Sequence, residues 1–251
     1  MNTHIARSAI LALLGVALAG CAAMGHASEA SSPRPTPAHS ASEGTTQNPV
    51  PTKPAGPSAL VVSDGAGWSA AGLEGQVPAP GSCHVRKAAD GGDLPDPACT
   101  PGARDGRISD TNVDATIGRP GGYTASVRPP AQMTEAAKKK ILGAYGIPWS
   151  EASKYELDHY LPLCLGSSSD VRNLWPQRNV FLPGLGHETS MVHNSKDLVE
   201  DYLCDAVKKH KIPLSKAQDA MVVDWTTAVQ ALGLPPIPAS DQGTSAGGSD
   251  D

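Results

Sequence analysis

Asp158 and His159 are adjacent in a largely apolar stretch, Tyr155-Glu-Leu-Asp-His-Tyr-Leu-Pro-Leu163. Two such groups among apolar neighbours need either partners or chemistry. A carboxylate is a hard oxygen ligand suited to Mg2+ or Mn2+. A neutral imidazole titrates near working pH and can accept a proton from water without a large shift. Downstream come Asn173, His193 and Lys196. An imidazole ligand at His193 would also suit Zn2+ or Ni2+. Strand alternation would send the side chains of Asp158 and His159 to opposite faces, unless a bulge or twist near Pro162 brings both to one site.

The flanking patterns say which elements carry these residues. The run 155–163 reads as a strand, Gly166-Ser-Ser-Ser-Asp170 as a turn, and 171–175 as a second strand stopped by Pro176, together a hairpin with a longer loop. Asn194-Ser-Lys-Asp197 is a capping box, followed by the apolar face Leu198, Tyr202, Leu203, Ala206 and Val207. Upstream, Thr134 would cap a helix with Ala137, Ile141, Leu142 and Tyr145 on one stripe, ended by Gly146. Ser215-Lys-Ala-Gln218 opens a last amphipathic helix through Met221, Trp225 and Leu232. The stretch 108–127 reads as short strands or irregular loop. The predicted order is helix, hairpin, helix, helix, with the chemistry where the hairpin meets the second helix. Trp149, Trp175 and Trp225 are expected in the core, and Lys138-Lys139-Lys140 on a solvated helix face.

Composition limits how much of the chain this domain can use. Gly and Pro account for 26 and 23 of 251 residues, with a single Phe. In 21–98 the only aromatic is Trp68, so this stretch is expected to be a disordered Pro/Gly/Ser-rich tether, with order beginning near Cys99. The net charge is −5, yet 99–240 carries equal numbers of acidic and basic side chains. A neutral domain cannot hold a polyanion by net charge, so any nucleic-acid contact must be local. Arg7, the apolar run 9–19 and Leu18-Ala19-Gly20-Cys21 read as an export signal. The small residues before Cys21 resemble a bacterial lipobox, which implies lipid on its thiol; an ordinary secretory signal is the alternative. The remaining Cys83, Cys99, Cys164 and Cys204 suggest two disulfides in an exported chain. Three pairings are open, of which Cys83 with Cys99 and Cys164 with Cys204 is preferred.

Asp158-His159, Gly166, Asp170-Val-Arg-Asn-Leu-Trp-Pro176 and His193-Asn-Ser-Lys196 together resemble an HNH endonuclease of the His-Me finger group. The chain is also similar to small exported bacterial HNH-type nuclease-like proteins, through Cys99-Thr-Pro-Gly-Ala103, Val127-Arg-Pro-Pro130 and Lys196-Asp197 with Glu200. The resemblance implies an α+β fold with a small ββα-metal core and flanking helices. It implies one divalent metal ion, Mg2+ first, with Mn2+, Zn2+ or Ni2+ as alternatives. His159 would be the general base, Asp158 and His193 the metal ligands, and Asn173 the support of the hairpin loop and of His159. Arg172 or Lys196 would contact phosphates of a DNA substrate. His187, Asn194 and Asp197 compete with His193, because its distance from Asn173 exceeds that of compact HNH units. In the similar proteins the positions of Gly118 and Lys208 are often Cys, and their joint replacement is consistent with loss of one bridge as a unit.

The expected organisation is a signal peptide over 1–20, tether over 21–98, nuclease-like domain over 99–235 and acidic tail over 236–251. The expected function is a metal-dependent, low-specificity DNA endonuclease outside the cytoplasm, anchored to the membrane by lipid, with no protein partner deducible. The alternative is a non-catalytic, lipid-tethered envelope binding module on a degenerate HNH scaffold.

Overall fold

The computed structural model describes residues 60–179 and 194–238. Cys21 and the signal stretch, the first half of the expected tether (21–59), His187 and His193 lie outside the described residues.

The chain is folded at Leu60, well before Cys99. Strand β1 (Val61–Ser63) is followed by the two-residue strands β2 (Trp68–Ser69), β3 (Gly72–Leu73), β4 (Arg86–Lys87) and β5 (Asp93–Leu94), then β6 (Ala103–Asp105). β1 pairs in parallel with β6, while β2–β3 and β4–β5 are small antiparallel ribbons. The tether expectation for 60–98 is thereby corrected. Low apolar content misled because this layer is held mainly by its backbone. The Ser169 N–H donates to Ala66 O at 2.7 Å and the Val171 N–H to Glu74 O at 2.9 Å. Gly67, at φ +77°, lies so close to the Ser169–Asp170 backbone that a Cβ would collide with it. The Trp68 indole donates to Val127 O at 2.6 Å.

The helical part starts with α1 (Thr124–Val127) and α2 (Ala131–Ala144). α2 begins one turn before Thr134, because Pro130 serves as its cap and the Thr134 hydroxyl bonds back to Ala131 O. Gly146, at φ +68°, ends it as expected. The hairpin follows as β7 (Tyr155–His159) and β8 (Leu174–Arg178), antiparallel, with His159 opposite Leu174 and Asp158 opposite Trp175. β7 stops at His159 rather than at residue 163, since Pro162 has no N–H for the ladder and Leu163–Leu165 coils into a 3-10 turn.

α3 (Ser195–Lys208) carries the expected capping box of Asn194 and Asp197. The predicted last helix is two pieces, α4 (Leu214–Asp224) and α5 (Ala228–Ala231). Ser215 is no cap; its hydroxyl bonds to Asp110 at 2.7 Å. The chain stays packed past residue 235: Tyr202 donates to Pro235 O, and Ile237 rests against the main core.

That core gathers Tyr160, Leu161, Leu163, Leu165, Trp175, Leu203 and Met221. Trp175 and Trp225 are buried as expected, whereas Trp149 is 45 % exposed. Small sheets and several helices make the fold α+β. The disulfides are Cys83–Cys99 and Cys164–Cys204, with Cα separations of 6.0 and 5.8 Å. The first closes the β4–β5 ribbon, and the second pins the 3-10 turn, not a strand, to α3. Gly118 and Lys208 line one cleft together with the Cys164–Cys204 bridge.

Candidate functional site

The two faces of the hairpin carry different chemistry. Pairing of Asp158 with Trp175 and of Glu156 with Gln177 puts these four on one face. Leu157, His159 and Leu174 share the other, where Leu157 and Leu174 pack with Ala137 and Ile141 of α2. Alternation therefore holds through to the strand end, and the side chains of Asp158 and His159 diverge.

On the α3 face, Asp158 Oδ2 accepts from the Trp175 indole N–H at 2.7 Å and sits 2.8 Å from Lys196 Nζ. The Lys196 ammonium also donates to His159 O at 2.9 Å and to Glu200 Oε1. The capping box sets the helix register that brings Lys196 here, with Glu200 one turn on. Lys196 is 0 % exposed. Burial opposes its charge, but Asp158 and Glu200 outweigh burial and raise its pKa. Glu200 is raised well above the usual carboxylate range by burial, against the pull of Lys196. The expectation that Lys196 contacts phosphates is overturned: an interior ammonium cannot reach a ligand backbone.

On the opposite face, His159 lines a cleft of about 450 Å³ together with Arg128, Thr134, Glu135, Lys138 and Leu157. Its Nε2 meets Ser169 Oγ at 2.9 Å, both groups buried. Nδ1 has no hydrogen-bond partner among the described residues. Burial, then the charges of Arg128 and Lys196, lower the imidazole pKa to about 3. The ring is neutral at working pH, and the expectation that it titrates near working pH without a large shift is overturned, chiefly by burial.

This shift has a consequence for acid stability. The unfolded chain takes up the proton near 6.5 and the folded one near 3, so stability from the neutral ring is complete above the first value and lost as pH falls toward the second. One differential proton gives a slope of about 1.4 kcal/mol per pH unit. Urea unfolding of wild type and His159→Asn at about pH 7, 5 and 4 should show a shallower acid loss in the variant. Parallel losses would show that the ring is not responsible.

Asn173 is fully buried, with both ends of its amide satisfied. Nδ2 donates to Leu161 O and Ser168 O, each at 2.9 Å, while Oδ1 accepts from the N–H groups of Leu161 at 2.9 Å and Ala103 at 3.2 Å. It closes the loop 160–173 whose Ser169 holds His159. This makes it a positioning residue for the loop. Arg172 forks onto Asp170 and does not line the His159 cleft, so it is no phosphate contact there.

No protein-family model matches the chain, and neither a curated protein nor a solved structure does.

The described half of the expected metal pair is Asp158, and its surroundings do not fit a divalent ion. Its Oδ2 is shared by an ammonium and an indole N–H, on the face turned from the His159 ring. No group of three His, Cys, Asp or Glu able to hold a metal occurs among the described residues. Asn194 and Asp197, the described competitors of His193, form the cap of α3, and Asn194 also reaches Glu156. Two cleft residues, and the buried Ser169 that holds the His159 ring, carried no signal strong enough to single them out. Ser169 sat in an apparent turn, Arg128 beside a Pro pair, and Lys138 in a lysine run read as solvated. Only the packing of α2 against the hairpin brings Arg128 and Lys138 to His159.

Proposed function

We propose that the chain is an exported, lipid-anchored phosphodiester hydrolase of the HNH type, acting on DNA with little sequence specificity. The observation that carries this reading is the neutral imidazole of His159, at the end of the first hairpin strand, in a cleft shared with Arg128 and Lys138. Water attacks phosphorus while one of its protons passes to Nδ1 of His159. The P–O3′ bond breaks, the 3′ oxygen leaves and takes a proton from solvent, and the imidazolium returns its own to water. A bound phosphate beside Arg128 would offset the positive charge that helps depress His159, making the ring a stronger base when substrate is present. No step passes through Asp158. Two disulfides accord with an oxidising compartment outside the cytoplasm, and Cys21 is the proposed anchor point.

The test is nicking of supercoiled plasmid by the full chain, in EDTA and with Mg2+, Mn2+, Zn2+ or Ni2+. Wild type should nick, and His159→Ala should lose at least about 100-fold of the rate. Equal inactivity of the two under every condition would sink the enzyme reading.

Two observations favour a second reading, a tethered envelope binding module without turnover. Asp158 is consumed by an internal ion pair, and Glu135 lies beside Arg128 and Lys138 in the cleft. A folded wild type that never nicks would move the assignment there.

A further inference from the structure

We infer that the hairpin–helix unit carries its own cation: the Lys196 ammonium fills the oxygen cage between β7 and α3 that a divalent ion would otherwise use. An ammonium has three N–H donors and no acceptor. The cage offers three oxygens, Asp158 Oδ2 at 2.8 Å, His159 O at 2.9 Å and Glu200 Oε1. Donors and acceptors match one for one.

The three acceptors come from both elements that need joining. Two belong to the end of β7 and one to α3, so the cation bridges strand and helix as a structural metal would. The Trp175 indole holds Asp158 Oδ2 from a further side, at 2.7 Å. A divalent ion would have to sit about 2.0 to 2.6 Å from the same oxygens, in the space the nitrogen already takes. The ammonium is also tethered one helical turn from Glu200, so a free ion would have to displace an intramolecular competitor. Because one of its bonds goes to the backbone carbonyl of His159, Lys196 steadies that residue from the α3 face while Ser169 holds the ring from the other. The inference concerns the clamp alone and survives if the chain turns out not to cleave DNA.

The test is thermal unfolding of the full chain in EDTA and in about 1 mM Mg2+, Mn2+, Zn2+ or Ni2+. Wild type should melt within about 1 °C under all conditions, since no site binds N over U at this cage. Lys196→Ala leaves two carboxylates and a carbonyl facing an emptied position, and should gain a saturable Mn2+-dependent rise in Tm that adding Asp158→Asn removes. A divalent-dependent rise of several degrees in wild type, lost in Asp158→Asn, would overturn the inference. So would a folded Lys196→Ala that ignores Mn2+. The wild-type comparison decides even if Lys196→Ala does not fold.

Discussion

Replacing Lys196 by methionine is expected to cost the fold about 3 to 5 kcal/mol, as for other buried ion pairs broken from one side. Urea unfolding should show the midpoint falling with little change in slope. Methionine keeps most of the lysine stem's volume, so packing alone would predict a small loss. The large effect comes from what stays behind: Asp158, Glu200 and the His159 carbonyl, all interior, with their shared donor gone. The same reasoning predicts rescue. Adding Asp158→Asn and Glu200→Gln to Lys196→Met removes the orphaned charge and should recover a large part of the loss, because the members of one network are not additive. A Lys196→Met chain as stable as wild type would show that the carboxylates are neutral or hydrated without the ammonium.

Asn173→Ala should cost about 3 kcal/mol, several buried backbone groups losing their partner at once. Leu161 N–H and O, Ser168 O and Ala103 N–H all bond to this one amide. Asn173→Asp separates the two halves of the role. It keeps both acceptors but loses both donors, and turns a charge toward the carbonyls of Leu161 and Ser168, so it should be at least as damaging as alanine. Denaturant unfolding gives the stability, and the NMR resonances of the His159 ring report whether its contact with Ser169 persists in whatever remains folded. If Asn173→Ala loses less than about 1 kcal/mol, water has replaced the amide and the loop is not held by it.

These two residues also show how differently parts of the site could be read beforehand. The HNH resemblance gives Asn173 a supporting role, and three of its four bonds are local, reaching across one hairpin loop to Leu161 and Ser168, with the fourth going to Ala103. Lys196 could not be read this way. One residue past a helix start, lysine is ordinarily a surface residue, and its burial follows from how α3 lies on β7, a contact between segments 37 residues apart. The HNH resemblance makes Asp158 a metal ligand, and its place in an apolar strand calls for a partner or chemistry. The explanation is an ammonium and an indole N–H delivered by α3 and β8.

The sequence by itself determined the local elements. Glycine punctuation, the Asn194–Asp197 capping box and the apolar stripes placed the helix, hairpin and helix, since those signals act over a few residues of backbone, although Pro176 does not stop the second strand, which runs Leu174–Arg178 after a 3-10 turn at Val171–Asn173. The even cysteine count and an apolar run after Arg7 pointed to an exported, oxidised chain by equally local chemistry. Tertiary structure decided everything that depends on one element meeting another. It recruited 60–98 into the fold by backbone hydrogen bonds that composition does not register. It separated Asp158 and His159 onto opposite faces of the hairpin, chose Arg128 and Lys138 as the cations beside His159, and buried Lys196, one of the two residues expected to touch phosphate. Burial and charge pairing are properties of contacts between distant segments, and no spacing of letters within one segment contains them.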